Sequence, residues 1–265
     1  MAKPVLHQPV TLFALRAGVL IVLLAAWHFL TAWNVLDPFF FATPGGVLLR
    51  TWEDCITGKI WWHLGVTLLE TVLAFAVGTV GGIACGFWFG RAPLVAAIFD
   101  PYIKAANAIP RIVLAPIFAL WLGLGIWSKV ALGVTLVFFI VFFNVYQGIR
   151  EVNPVVLANA RMLGATDRQL VRHVYLPSAL SWVFSSLHTA VGFALVGAVV
   201  GEYLGAAAGL GYRIQQAEGV FDTVGVFSGI LILTVFVIAI DAVVGVIERR
   251  LLVWRPQAPS TASEA

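Results

Sequence analysis

Six stretches of this chain, at 15–35, 63–90, 97–123, 127–147, 179–205 and 224–247, are each long and apolar enough to cross a lipid bilayer. About 20 apolar residues in a helix span the hydrocarbon core. In that medium every backbone N–H and C=O must find its partner inside the protein, which leaves helices or closed barrels as the spanning structures. Stretches of this length predict an all-α, polytopic bundle of about six transmembrane helices. Composition agrees: 61% of residues are hydrophobic, 11% are charged and the mean hydropathy is +0.97. Soluble domains carry about 25% charged residues, so a water-soluble fold could not cover this much apolar surface. The third stretch is the least regular. Pro101, Pro110 and Pro116 interrupt it, and Lys104 and Arg111 sit near its start.

Smaller features exclude several classes. A net charge of +3 without a dense basic run does not suit nucleic acid. Cys55 lies in a polar loop and Cys85 in an apolar stretch, so no disulfide framework is expected. His7, His28, His63, His173 and His188 are scattered singly, with no metal-ligand spacing. Lys3 and Arg16 precede an apolar run from Ala17 to Trp33 that is longer than a signal-peptide core, which reads as an uncleaved first span.

Charge placement sets the expected orientation, because cytoplasmic loops are enriched in Lys and Arg. With the N-terminus inside, the inner segments hold twelve: Lys3, Arg16, Arg91, Lys104, Arg111, Arg150, Arg161, Arg168, Arg172, Arg249, Arg250 and Arg255. The outer ones hold four: Arg50, Lys59, Lys129 and Arg213. Both termini and the segment 148–178 are therefore expected in the cytoplasm. Trp61, Trp62, Trp121 and Trp127 fall near span ends, as interfacial aromatics do. Gly78, Gly82, Gly86 and Gly90 in the second span, and Gly197, Gly201 and Gly205 in the fifth, recur every fourth residue. Such small faces let membrane helices approach closely. Phe138, Phe139, Phe142 and Phe143 in the fourth span suit lipid or bulky packing.

Segment 148–178 is long for a connection in a compact bundle. Asn153 is a good N-cap with Pro154 at the first helical position. Gly164 stands where a left-handed residue would end that helix, and Thr166 with Gln169 forms a capping-box pattern for a second one. Pro177 is expected to break the chain just before the fifth span. The pattern predicts two short helices joined at a glycine elbow outside the membrane. Leu157, Ala160, Leu163, Leu170 and Val174 are placed toward the bundle, and Arg161, Arg168 and Arg172 toward solvent or a partner. Gly164 is expected in a crowded, left-handed position.

This segment resembles the cytoplasmic signature loop of ABC importer permeases, E-A-A-x3-G-x9-I-x-L-P. Ala160 stands for the second alanine, Gly164 for the glycine, Val174 for the isoleucine and Leu176-Pro177 for the final pair. Ala158 and Asn159 depart from the pattern. Further stretches resemble the nitrate/sulfonate/taurine group: Phe99-Asp100-Pro101, Ile109-Pro110, Pro116, Leu122-Gly123-Leu124-Gly125, Val200-Gly201-Glu202, Gly209-Leu210-Gly211-Tyr212 and Glu248-Arg249-Arg250-Leu251-Leu252.

The resemblance implies a type I ABC importer permease fold in the bacterial inner membrane. It divides the chain into an N-terminal helix and periplasmic loop (1–60), a transmembrane type-1 domain (61–250) and a disordered cytoplasmic tail (251–265). It also implies a homodimeric pore, cytoplasmic ATPase subunits and a periplasmic substrate-binding protein. The ATPase-coupling residues are then Ala160, Arg161, Gly164, Ala165, Arg168, Val174, Leu176 and Pro177. Nitrate, sulfonates, taurine or pyrimidine precursors are the solutes implied. The chain lacks a G-x4-G-K-[S/T] loop of its own, so ATP is expected on a separate subunit, with no cofactor and no catalytic residues here.

Glu202, Gly209, Gly211 and Arg213 are candidates for a gate or pathway. Glu202 is placed near the outer end of the fifth span, as an interfacial carboxylate, an acceptor for the Gly209–Gly211 segment, or the ion-pair partner of Arg213. A secondary transporter or channel is the alternative. Such proteins place ionisable residues at mid-membrane, and Glu70, His188, Asp241 and His28 are few for an ion relay. An intramembrane enzyme would have to draw on Ser185, Ser186 and His188, neighbours on one helix that seldom make a productive pair.

Overall fold

The structure, a computed structural model, describes residues 9–251, apart from the side chains of residues 9–11, Leu180, Ser181, Ser185, Ile247, Glu248, Arg249 and Leu251. The tail expected to be disordered after Leu251, and the inner-side charges Lys3 and Arg255, lie outside the described residues. All regular elements among the described residues are helical.

Five helices match expected spans: α1 (Pro9–Ala32), α4 (Lys59–Arg91), α7 (Ile126–Arg150), α10 (Leu176–Gly205) and α12 (Thr223–Leu251). The connection after α1, read from sequence only as a loop, contains α2 (Pro38–Phe41) and α3 (Pro44–Ile56). Asp37 and Thr43 cap these helices, and Pro38 and Pro44 open them, where a missing N–H costs nothing.

The third span is not one helix. α5 (Pro93–Ala108) and the following pair, a 3₁₀ turn (Arg111–Leu114) and α6 (Ala115–Leu122), are bent by 85°. The break falls at Ile109-Pro110, because the residue before a proline is pushed out of the helical region; Ile109 has ψ 127°. Pro101 stays inside α5. Arg111 is consequently not an inner-loop charge. Its guanidinium donates to the carbonyl of Thr135, nine residues into α7. Lys129, counted as an outer-loop cation, is also internal: it lies in the first turn of α7 at 1% exposure, donating from Nζ to the Leu124 carbonyl at 2.6 Å. Removing both leaves eleven inner charges against three outer ones, so the bias keeps its direction.

Two compact units emerge. One contains the described residues up to Trp62 together with Arg213–Leu233; the other contains His63–Tyr212 and the described residues from Thr234. The first unit is tied by polar contacts. Arg213 pairs with Asp54 at 2.9 Å, Thr51 shares a hydrogen bond with Ser228 at 3.0 Å, and the Trp27 indole donates to the Phe41 carbonyl at 3.2 Å.

In the second unit α7 is the central helix, and the small faces seat the others on it. A Cβ on Gly78, Gly82, Gly86 or Gly90 would fall 2.6–2.8 Å from atoms of Val137, Phe138, Val141, Phe142 or Ile149, so the α4 backbone lies directly on α7. α10 (Leu176–Gly205) also packs on α7: Gly197 sits on the Gly133 backbone and Gly201 on Lys129. Val137, Val141, Val145, Ala190 and Ala194 are buried between them. Dispersion at this close range holds such a bundle where lipid supplies no hydrophobic drive. The phenylalanines form a second cluster, in which Phe142 stacks with Tyr146 and meets Phe89 edge-on, with centroids 6.0 and 5.5 Å apart.

Candidate functional site

One end of the second unit carries the elbow. α8 (Pro154–Met162) starts at Asn153, whose Oδ1 accepts from the Val155 N–H at 2.8 Å. It stops in a Schellman arrangement: the Ala165 N–H donates to the Ala160 carbonyl and the Gly164 N–H to the Arg161 carbonyl. Gly164 has φ +80°, the left-handed conformation this closure requires. Hence Ala160, Gly164 and Ala165 belong together as one helix-ending device. The space around Gly164 is open rather than crowded, since a Cβ there would meet nothing within 4 Å. The demand on this residue is conformational alone.

The capping box opens α9 (Asp167–Leu170): the Gln169 N–H donates to Thr166 Oγ1, and the Thr166 N–H donates back to Gln169 Oε1 at 2.8 Å. Pro177 does not break the chain. α9 runs through one π turn (Val171–Tyr175) directly into α10, with the Leu176 N–H donating to the Val171 carbonyl. The wider turn precedes Pro177 and absorbs the disruption that its missing N–H and its ring would otherwise cause. Leu170 is buried, and Leu157, Ala160 and Val174 are half-buried. Leu163 does not face the bundle. With 88% exposure it stands outward beside Met162, and Arg161, Arg168 and Arg172 are exposed as expected. Ala160, Gly164, Ala165, Leu170 and Val174 line a shallow hollow of about 240 Å³.

The elbow is anchored to the bundle. Ser178 Oγ donates to the Gly148 carbonyl at 2.8 Å, Trp182 lies against Gly148, and Arg91 covers the Tyr175 ring at 5.5 Å. From Asp167 to Gly205 the chain is one helical rod of 39 residues, roughly 58 Å long at 1.5 Å per residue.

The other end of this rod carries Glu202. Its exposure is 0%, so it is not an interfacial carboxylate. Oε1 accepts from Thr67 Oγ1 at 2.6 Å and Oε2 from the Gly211 N–H at 2.7 Å. Thr67 Oγ1 in turn accepts from the Leu210 N–H at 2.9 Å, and His63 Nδ1 accepts from the Gly209 N–H at 3.1 Å. Three successive amides, which open α11 (Leu210–Gly219), are thus held by side chains of α4 and α10. Gly209 has φ +110°, and a Cβ there would strike the Glu202 carboxyl; one on Gly211 would strike the Val199 carbonyl. Arg213 does not pair with Glu202, since its partner is Asp54.

Sequence reasoning missed the company Glu202 keeps. Glu70 on α4, 1% exposed, meets the Glu202 carboxyl, and the Lys129 charge lies close to both. Three ionisable side chains from three helices are buried in one place. Glu70 lies four residues before Ala74 and Lys129 four before Gly133, hence on the same helix faces, but only the fold shows that Ala74 packs on Gly133. His188 and Asp241 form a separate pair, 2.9 Å apart, between α10 and α12. No group of three or more metal-binding side chains is found among the described residues.

The chain belongs to the family of binding-protein-dependent transport system inner membrane components, matching it over residues 78–253. It is 37% identical to the formylaminopyrimidine transport permease protein ThiX of Halalkalibacterium halodurans, over 89% of this chain and 93% of that one. It is 28% identical to the taurine transport system permease protein TauC of Escherichia coli K12, over 91% of this chain and 89% of that one. Among solved structures it resembles a chain from inward-facing conformations of the MetNI methionine ABC transporter, with a TM-score of 0.56 and 20% identity, covering 72% of this chain and 93% of that one. The fold is that of an ABC importer permease.

Proposed function

We propose that this chain is the pore-forming subunit of an ATP-driven importer that moves a small, sulfonate-headed solute from periplasm to cytoplasm by alternating access. Two copies form the pore, a separate ATPase docks on the elbow and hydrolyses the ATP, and a periplasmic binding protein delivers the solute. The permease itself needs no cofactor. Both termini face the cytoplasm of a bacterial inner membrane. The taurine relative supports the sulfonate reading, and neither relative's name supports nitrate.

The observation that carries this reading is the continuity of the elbow with α10. Met162 and Leu163 stand out at 84% and 88% exposure where a partner would seat. The arm beyond Gly164 has no flexible joint before Glu202, only the π turn. A partner that moves the elbow therefore moves the rod, and with it the Glu202 tether on the Gly209–Gly211 segment. ATP and the loaded binding protein must each favour one arrangement, since a ligand shifts an equilibrium only by its differential affinity. The alternative of a secondary transporter or channel leaves the exposed elbow without a task.

Copurification with the ATPase is the test, combined with cysteine labelling. Ala258→Cys is expected to react only from the cytoplasmic side and Ala207→Cys only from outside. Labelling of both from one side, or a permease that never captures its ATPase, would reject the reading.

A further inference from the structure

The break in the third span puts an arginine where a membrane bundle has least reason to hold one. Thr135, whose carbonyl accepts from Arg111, is nine residues from the Ile126 end of α7 and fifteen from the Arg150 end. At 1.5 Å per residue this is roughly 13 Å and 22 Å along the helix, well inside a hydrocarbon core of about 30 Å. A guanidinium at such depth is costly unless compensated. Its partners here are all neutral: the Thr135 carbonyl, the Asn107 carbonyl at 3.1 Å, Asn107 Oδ1 at 2.7 Å, and the face of Phe139 at 4.3 Å. No carboxylate among the described residues pairs with it. Three hydrogen bonds also leave at least two of the five guanidinium donors unused. By contrast, Lys129 lies beside the carboxyl groups of Glu70 and Glu202, and Asp241 has His188 as a partner at 2.9 Å.

The surroundings of Arg111 are equally unusual. Ile109 and Pro110 are non-helical, and Ile109, Ile112 and Val113 are 46%, 61% and 61% exposed. Non-helical backbone at membrane depth is not exposed to lipid; it is buried in protein or lines a water-filled cavity. The exposed Ile109 therefore faces either the second copy of the pore or the aqueous pathway, and the unspent charge of Arg111 favours the pathway.

We infer that Arg111 lines the solute pathway and supplies the positive charge that meets the anionic head, sulfonate or carboxylate, of the passing solute. A planar guanidinium suits such groups because it offers paired donors. The missing counter-charge is then the cargo itself, which can bind without displacing a fixed carboxylate from the site. This inference rests on the importer reading and adds the residue and the charge class.

The test uses the complete importer, permease with ATPase and binding protein, in proteoliposomes with labelled taurine as the probe. Arg111→Gln is expected to lower taurine uptake at least tenfold while ATPase capture and binding-protein-stimulated hydrolysis persist, and Arg111→Lys to keep most of the uptake. A merely structural arginine would make both variants fail together, with loss of assembly. In a background with Cys55→Ser and Cys85→Ser, Arg111→Cys is expected to react with water-soluble methanethiosulfonates at least tenfold faster than Val22→Cys, an exposed apolar position in α1. The aminoethyl reagent should then restore uptake and the sulfonatoethyl reagent should not.

Equal restoration by both reagents, reaction no faster than Val22→Cys, or near-normal uptake by Arg111→Gln would each overturn the inference. A wild-type complex that captures its ATPase but carries only uncharged solutes would overturn it too, leaving the importer reading intact. A permease that captures no ATPase rejects the importer reading instead, and the labelling rates still decide whether Arg111 faces water.

Discussion

The two ends of the α9–α10 rod are held in opposite ways. At one end, the elbow is shaped by bonds between residues two to five apart: Asn153 with Val155, Ala160 with Ala165, Thr166 with Gln169. Most of its surface is open. At the other end, Glu202, Thr67, His63 and the Gly209–Gly211 amides are joined by bonds that cross as many as 146 residues of sequence, and the side chains of Glu70, Lys129 and Glu202 are buried. A locally built, exposed element keeps its shape while a partner docks and departs. A buried polar network has no solvent to replace a lost partner, so it either holds or fails as a unit. The difference suits an input site at one end of the rod and a latch at the other.

The largest effect that would sharpen this contrast is expected at Lys129. Lys129→Met removes the one cation beside two buried carboxyl groups, and breaking such a set costs about 3–5 kcal/mol. A large drop in the thermal midpoint of the detergent-solubilised permease is expected. An unchanged midpoint would show that the cluster is not the fastening described.

Next comes the latch itself. Glu202 serves two donors, one on each oxygen, and a glutamine has only one acceptor oxygen. Glu202→Gln is therefore expected to cost about 1–3 kcal/mol for the donor left unpaired, more than a single shared hydrogen bond would suggest. Gly211→Ala should cost a similar amount by pressing a methyl into the Val199 carbonyl. Both variants are expected to raise ATP hydrolysis in the absence of solute, measured on the assembled transporter. Normal coupling in both would separate Glu202 from gating.

The smallest effects are expected at the elbow. Thr166→Ala removes a cap worth about 1 kcal/mol, and Gly164→Ala imposes a left-handed alanine at about 1–2 kcal/mol. Because the space around Gly164 is open and asparagine tolerates the left-handed region, Gly164→Asn should lose less ATPase affinity than Gly164→Ala. A larger loss with asparagine would mean that the docked partner, rather than the permease, crowds this residue.

How much of the molecule is legible in its sequence follows the same division. The helical class, the elbow with its caps, and the seating of α4 and α10 through Gly78–Gly90 and Gly197–Gly201 are all readable from spacing, because bilayer thickness, capping chemistry and helical periodicity act over short sequence distances. Pro177 misleads the reading: a proline ordinarily ends a helix, and only the π turn before it shows how the rod continues. Arg111 and Lys129 mislead it too, since a tally of charges by segment assumes that charged side chains reach the nearest water. Which helix faces which was decided by tertiary packing, and with it the meeting of Glu70, Lys129 and Glu202 and the placement of Arg111 beside Thr135. A helix face announces that it will be buried, but its partner is chosen by shape complementarity among several similar apolar surfaces. Only the folded bundle, where Ala74 rests on Gly133, brings the charges four residues before them into one place.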